Sequence, residues 1–264
     1  MNILRAFIRT AFYDAFIYKV DFWLAIPILF VRMYASYSIW SILYQQSPDA
    51  FGVGVEQMTT YGVLGVLLLT VMDAAQHIQH YIAMQVREGK LELDLMKPLD
   101  FMFHMFGRSI GIVSVLALAR LLPSLILAVL FLDFRPPVSL QAGLAFLLSL
   151  VLGYLIFFCA SFMFGLLSII TLDIRSYDWA YRAIIRFVSG QIVPLWMFPP
   201  VLAAVAAVLP FQAVFATPMS IYIGLYEDGL SKVLLSQLAW LIGLLVAARF
   251  FWLRVQRRIT IQGG

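Results

Sequence analysis

Gln85-Val86-Arg87-Glu88-Gly89-Lys90-Leu91-Glu92-Leu93-Asp94-Leu95-Met96-Lys97-Pro98-Leu99-Asp100 is a dense charged island between two long apolar stretches. Charges are expelled from hydrocarbon, so this segment belongs in water. Leu91, Leu95 and Leu99 recur every four residues and share one face of a short amphipathic helix, a surface on which a water-soluble partner can dock.

The flanks decide the class. Of 264 residues, 63% are hydrophobic and only 12% charged, about half the charge of an ordinary soluble domain at roughly 25%. Mean hydropathy is +0.93. The chain is therefore an all-α polytopic membrane protein, and at about 20 residues per crossing it accommodates six or seven spans with short loops. No room remains for a nucleotide-hydrolysing domain. The single cysteine, Cys159, lies inside an apolar span, which excludes an internal disulfide or a cysteine metal site. Early charges Arg5, Arg9, Asp14 and Lys19 argue against a cleaved signal peptide.

In order, residues 1–20 place Leu4, Phe7, Ile8, Ala11, Phe12, Ala15 and Phe16 opposite Asn2, Arg5, Arg9 and Tyr13, as in a helix lying in the membrane interface; the alternative is the frayed start of the first span. Spans are expected at about Phe22–Tyr44, Met58–Ile82, Phe106–Leu132, Leu140–Leu172 and Val233–Trp252. Asp133 to Pro137 reads as a tight turn, Asp173 to Asp178 as a loop, and Ala216 to Leu230 as a polar connection. Between Phe187 and Phe215, Pro194, Pro199, Pro200 and Pro210 forbid one straight helix. The expectation is a fifth span ending near Phe198 and a re-entrant helical pair over 199–215; one kinked span with a long loop is the alternative.

Positive charge sets the orientation. With the N-terminus inside, fourteen of the 18 Lys and Arg residues fall in inner segments, around Arg5, the island, Arg175 to Arg186, and Arg249 to Arg258. Only Arg135 and Lys232 fall outside, so both termini and the island are expected in the cytoplasm.

These residues resemble the membrane-spanning subunits of bacterial ABC-2 type exporters, the six-helix class called type V. The amphipathic start resembles the family's elbow helix, and Gly89 to Leu99, with its spaced leucines and basic-proline-leucine ending, resembles the cytoplasmic coupling segment between spans two and three (84–105 here). Ser189-Gly190, Pro194, Phe198-Pro199, Leu209-Pro210-Phe211 and Pro218 resemble the stretch after span five, and the basic tail after span six fits as well. The resemblance implies one transmembrane domain over 1–264. It also implies an inner-membrane location, two copies of an ATPase subunit, and a second membrane subunit, identical or paralogous. ATP and magnesium would sit in the partner, with no cofactor in this chain and no nucleic acid. Arg87, Glu88, Gly89, Lys90, Leu91, Leu95, Lys97 and Pro98 would couple to the ATPase; Lys97 stands where family members often have arginine. Pro199, Pro200 and Pro210 would belong to an outer gate.

No phosphate-binding loop, catalytic motif or metal motif is present: Gly89-Lys90 is followed by leucine, and Met84 stands where the first glycine would be. Arg32, Asp73 and Arg120 fall near mid-membrane, where an unpaired charge costs about 2.5–3.5 kcal/mol. They either line a cavity that meets an anionic or zwitterionic group on a substrate, or pair internally and leave one arginine over. His77 and His80 share a helical face one turn beyond Asp73, as metal ligands, a proton path or simply polar residues at a helix end. Two other functions are open to such a chain: an ion-coupled secondary transporter using Asp73, His77 and His80, and a lipid-modifying membrane enzyme, for which His104 alone near the island is too little.

Overall fold

The structure, a computed structural model, describes residues 7–11, 19–46, 52–171, 175–226 and 229–258, the side chains of 19–23, 175–176 and 258 excepted. The described residues contain helices and no strand. Five helices are long and apolar enough to cross a membrane: Leu24–Gln46, Val55–Arg87, Phe101–Phe131, Leu140–Thr171 and Leu230–Val255.

These helices begin with α1 (Lys19–Gln46) and α2 (Val55–Arg87). The island holds α3 (Leu91–Leu95), and the third span runs through α4 (Phe101–Leu116), a π-turn (Ala117–Leu121) and α5 (Leu122–Phe131). Then come α6 (Leu140–Thr171), α7 (Arg175–Val188), α8 (Pro200–Ala207), α9 (Ala216–Ile223) and α10 (Leu230–Val255), with 3-10 turns at Leu195–Met197, Pro210–Ala213 and Gln256–Arg258.

The centre of the fold is α2, 83% buried along its most apolar window against 17% for α1 and α10. Its glycines explain how neighbours come so close. A Cβ on Gly62 would stand 2.6 Å from Ser36 and Trp40 of α1, and one on Gly65 would stand 2.7 Å from the Gln191 carbonyl oxygen. From the other side Gly165 of α6 brings its backbone onto Gln79. Small residues allow this close backbone approach in membrane bundles. At 33 residues α2 is about 50 Å long, well beyond ~30 Å of hydrocarbon, so one polar end must project.

Several expectations shift. The third span starts at Phe101 rather than Phe106, because Asp100 caps it: its Oδ1 accepts from the Phe103 N–H at 3.2 Å. The loop expected over 173–178 is instead helical from Arg175, since Asp178 and Arg182, one turn apart, pair along α7 at 2.5 Å. Ala216 to Leu230, expected to be a polar connection, holds the buried helix α9, with Met219, Ile221, Tyr222 and Ile223 all inward. The elbow expected over 1–20 is described only at 7–11, which are helical, and at its last two residues, where α1 begins; 1–6 and 12–18 lie outside the described residues. Phe7 and Ala11 rest on Gly107 and Gly111 of α4, a small-xxx-small step with no room for a Cβ.

Between Thr171 and Leu230 no helix qualifies as a span among the described residues, yet the chain changes ends. Asp178 contacts Gln79 and His80 near one end of α2, and Ile223 accepts a hydrogen bond from Gln57 at the other. The helical rise of α2 from Gln57 to Gln79 corresponds to about 33 Å. Prolines start elements here instead of kinking one: Pro200 opens α8 and Pro210 opens a 3-10 turn. Freed carbonyls find donors elsewhere. Tyr61 Oη donates to Gly190 O at 2.7 Å, Gln212 Nε2 to Ala207 O at 3.0 Å, and the buried Gln237 Nε2 of α10 to Ala213 O at 2.7 Å. Irregular backbone in such a bundle requires this internal satisfaction.

Candidate functional site

Two places gather the charged residues, and the island is the first. Its path is set by a stop and a start. Gly89 adopts φ +66°, the Gly89 N–H donates to Val86 O and the Lys90 N–H to Gln85 O, a Schellman closure that ends α2 abruptly. Asp100 starts the next helix. Between them α3 is a turn and a half whose face differs from expectation. Leu91 is buried and Leu95 half-buried, both against the protein's own core, and the helix ends before Leu99. The apolar side chains left outside are Leu93, 62% exposed, and Met96, 81% exposed. Spacing by four marks the seating face and misses the presented one; the signal for the latter is Leu93 and Met96, three apart.

A polar network seats α3. Asp94, buried, accepts from Tyr81 Oη at 2.7 Å and from Lys97 Nζ at 2.6 Å. His104 packs beside them with Lys97 Nζ 3.4 Å from Nε2, Phe7 lies over its ring, and the Arg108 guanidinium stacks 4.0 Å above the Tyr81 ring. The Lys97 ammonium is engaged by Asp94 while its side chain stays exposed, as Arg87, Glu88, Gly89, Lys90 and Pro98 are. The Lys90 ammonium, 2.7 Å from Glu88, holds that carboxyl below its ordinary range. Arg249 of α10 reaches back to Asp100, and Trp252 stacks on Phe101 with centroids 4.5 Å apart. Burial alone would raise the Asp100 carboxyl, but hydrogen bonds from Arg249 and the Phe103 N–H hold it below the usual carboxylate range.

The second place is a cavity of about 290 Å³ between α1, α2 and the third span, which brings Arg32, Asp73 and Arg120 to one wall. Arg120 sits in the π-turn, where Leu122 N–H bonds back five residues to Ala117 O. Pro123 has no N–H for the Ala119 carbonyl, which accounts for the widened turn. The basic groups around Asp73 are Arg186, His77, Arg32 and Arg120. Arg186, on α7, reads in the sequence only as a cytoplasmic flanking charge; the amphipathic spacing of Asp178, Arg182, Ile185 and Arg186 is the signal that this segment is a helix packed on the bundle. Among the described residues no arginine or histidine nitrogen comes within 4.0 Å of the Asp73 carboxylate. The histidine pair is split: His80 faces the Gln76 carbonyl and Asp178, at 3.0 and 3.2 Å, and makes no link to Asp73. Among the described residues no group of three His, Cys, Asp or Glu side chains is placed to hold a metal.

The sequence matches the family described as ABC-2 family transporter protein over residues 30–263, which is most of the chain. The chain belongs to the ABC-2 transporter family. It is a multi-pass membrane protein and the membrane component of such a transporter. No curated protein matches it significantly. Within this ABC-2 component the match begins inside α1 and ends past α10, so both the island and the cavity fall inside it.

Proposed function

We propose that this chain is the permease of an ATP-driven exporter in a bacterial inner membrane, with the island in the cytoplasm as its docking point for two copies of a separate ATPase subunit. The observation that carries this is the division of α3: Leu91 and Asp94 anchor it to the bundle while Leu93 and Met96 stand out among Arg87, Glu88 and Lys90. A helix clamped on one face and apolar on the other suits a cleft on a partner that pushes or pulls it, because force applied to α3 passes through Tyr81 into α2, the most buried helix. ATP and magnesium belong to the partner. A second membrane subunit, identical or paralogous, would cover the outward faces of the bundle.

The path from Asp178 to Ile223 serves in this reading as the sixth passage, with 199–215 re-entrant and Pro199, Pro200 and Pro210 holding an outer gate. Positive charge supports both termini on the island's side, and so does geometry: residues 7–11 lie on α4 beside His104, and Arg249 reaches Asp100. The cavity at Arg32, Asp73 and Arg120 then opens on the substrate route. Two changes test the docking: Leu93→Glu with Met96→Glu. The variant is expected to insert and to keep its melting temperature, yet to lose co-purification of the ATPase and transport; retention of both refutes the proposal.

A further inference from the structure

We propose that the cavity walled by Arg32, Asp73 and Arg120 receives the acidic head group of an amphiphile, a phosphate or carboxylate joined to an apolar chain. This rests on the exporter reading and names the class of its substrate. Guanidinium groups stay protonated at any physiological pH, so Arg32, Arg120 and Arg186 carry three positive charges around one carboxylate. Arg186 comes to Asp73 from α7, outside the cavity wall, and its Nε is buried without an acceptor. Asp73 is thus shared with a residue that the cavity does not expose, and Arg32 and Arg120 are left facing the empty space with less than one negative charge between them. Arg32 is exposed and Arg120 partly buried on the bundle alone; once hydrocarbon or a second membrane subunit covers this face, their positive charge is costly unless an anion completes it.

The remaining wall is largely aliphatic, with Ile28, Val66 and Leu69 beside the arginines. A volume of about 290 Å³ lies at the small end of ligand pockets, roughly 300–1,000 Å³, and suits a head group and the root of a chain. A second zwitterionic charge has a poor place here, since only Asp73 could meet it. The π-turn at Ala117–Leu121 inserts a residue that rotates Arg120 relative to α4, and such turns recur at functional sites because they re-aim a side chain.

The full-length chain in phosphatidylcholine nanodiscs, titrated with dioctanoyl phosphatidic acid, tests this. Binding is expected at least ten-fold tighter than that of dioctanoylglycerol or of inorganic phosphate. Arg32→Gln with Arg120→Gln should weaken it ten-fold or more at unchanged ATPase capture. Asp73→Asn, which removes the one negative charge, should tighten it several-fold and keeps the test open should the double variant fail to fold. Equal binding of dioctanoylglycerol would overturn the acidic half of the proposal, equal binding of inorganic phosphate the amphiphilic half, and indifference to the arginine changes the site itself. Failure of the wild-type chain to capture any ATPase would instead sink the exporter reading and leave the binding data intact.

Discussion

The Tyr81 hydroxyl donates to Oδ2 of Asp94 at 2.7 Å, and this bond joins the longest helix of the bundle to the island helix α3. Asp94 is nearly buried, so its carboxylate depends on Tyr81 and Lys97 in place of water. A hydrogen bond to a charged group contributes about 1.5–3 kcal/mol. Tyr81→Phe keeps the ring under Arg108 and deletes only the bond. It is expected to loosen α3 locally, visible as faster amide exchange at Leu91 to Leu95, with a loss of about 1.5 kcal/mol in unfolding free energy. Transport should fall further than stability if α3 carries force.

The contact between Asp100 and Arg249 predicts a dependence on pH. Its carboxyl is held below the ordinary carboxylate value by Arg249 and the Phe103 N–H, so the bond contributes fully above the unfolded value, about 3.9. The contribution disappears as pH falls through the lower folded value. Both side chains are more than a third exposed, which limits the coupling to about 0.2–1 kcal/mol. A double-mutant cycle with Asp100→Asn and Arg249→Gln should give that coupling at pH 7 and lose it once pH falls below the folded value. A coupling that grew on acidification would contradict the assignment.

Long apolar periodicity makes the five spans and the projecting island legible, because hydrophobic stretches of over 20 residues and a block of charge have few other readings. Two features escape it. Leu91 and Leu95 fit a docking face by spacing, yet in so short a helix the side toward the bundle also needs apolar anchors, and spacing cannot say which apolar face is inside. Arg186 groups with flanking charges because α7 is strongly amphipathic and unlike a lipid-facing span; only the packing of α7 on the bundle brings its charge near Asp73. Arg32, Asp73 and Arg120 emerge as a set because charges within apolar runs stand out, whatever their partners.

Gly65 and Gly243 offer a matched pair. Each lies inside a long helix, and an alanine normally gains about 0.5–1 kcal/mol over glycine there. A Cβ at Gly65 would come within 2.7 Å of the Gln191 carbonyl oxygen, part of the backbone, whereas nothing lies within 4 Å at Gly243. Gly65→Ala is therefore expected to cost about 1–3 kcal/mol through overpacking, and Gly243→Ala to be neutral or stabilising. Thermal unfolding in detergent distinguishes them, and equal effects would mean that α2 and the segment at Gln191 are not in close contact.

Gln237 decides whether the broken segment is held in place from α10. Its Nε2 donates to Ser149 O at 3.2 Å and to Ala213 O at 2.7 Å, and the side chain is almost wholly buried. Gln237→Leu preserves bulk and removes both donors. The Ser149 carbonyl sits within a helix, where its backbone partner remains, but Ala213 lies in a 3-10 turn with little else to satisfy it. One buried carbonyl left unpaired costs about 1–3 kcal/mol, and the cost should fall on 210–214 alone. Expected results are faster exchange or new cysteine accessibility at Ala213→Cys in the Gln237→Leu background, with Leu93 and the island unaffected. If that region gates the outer side, the same change should raise substrate leak without changing ATPase capture; a leak that stayed at the wild-type level would separate the structural clamp from any gating role.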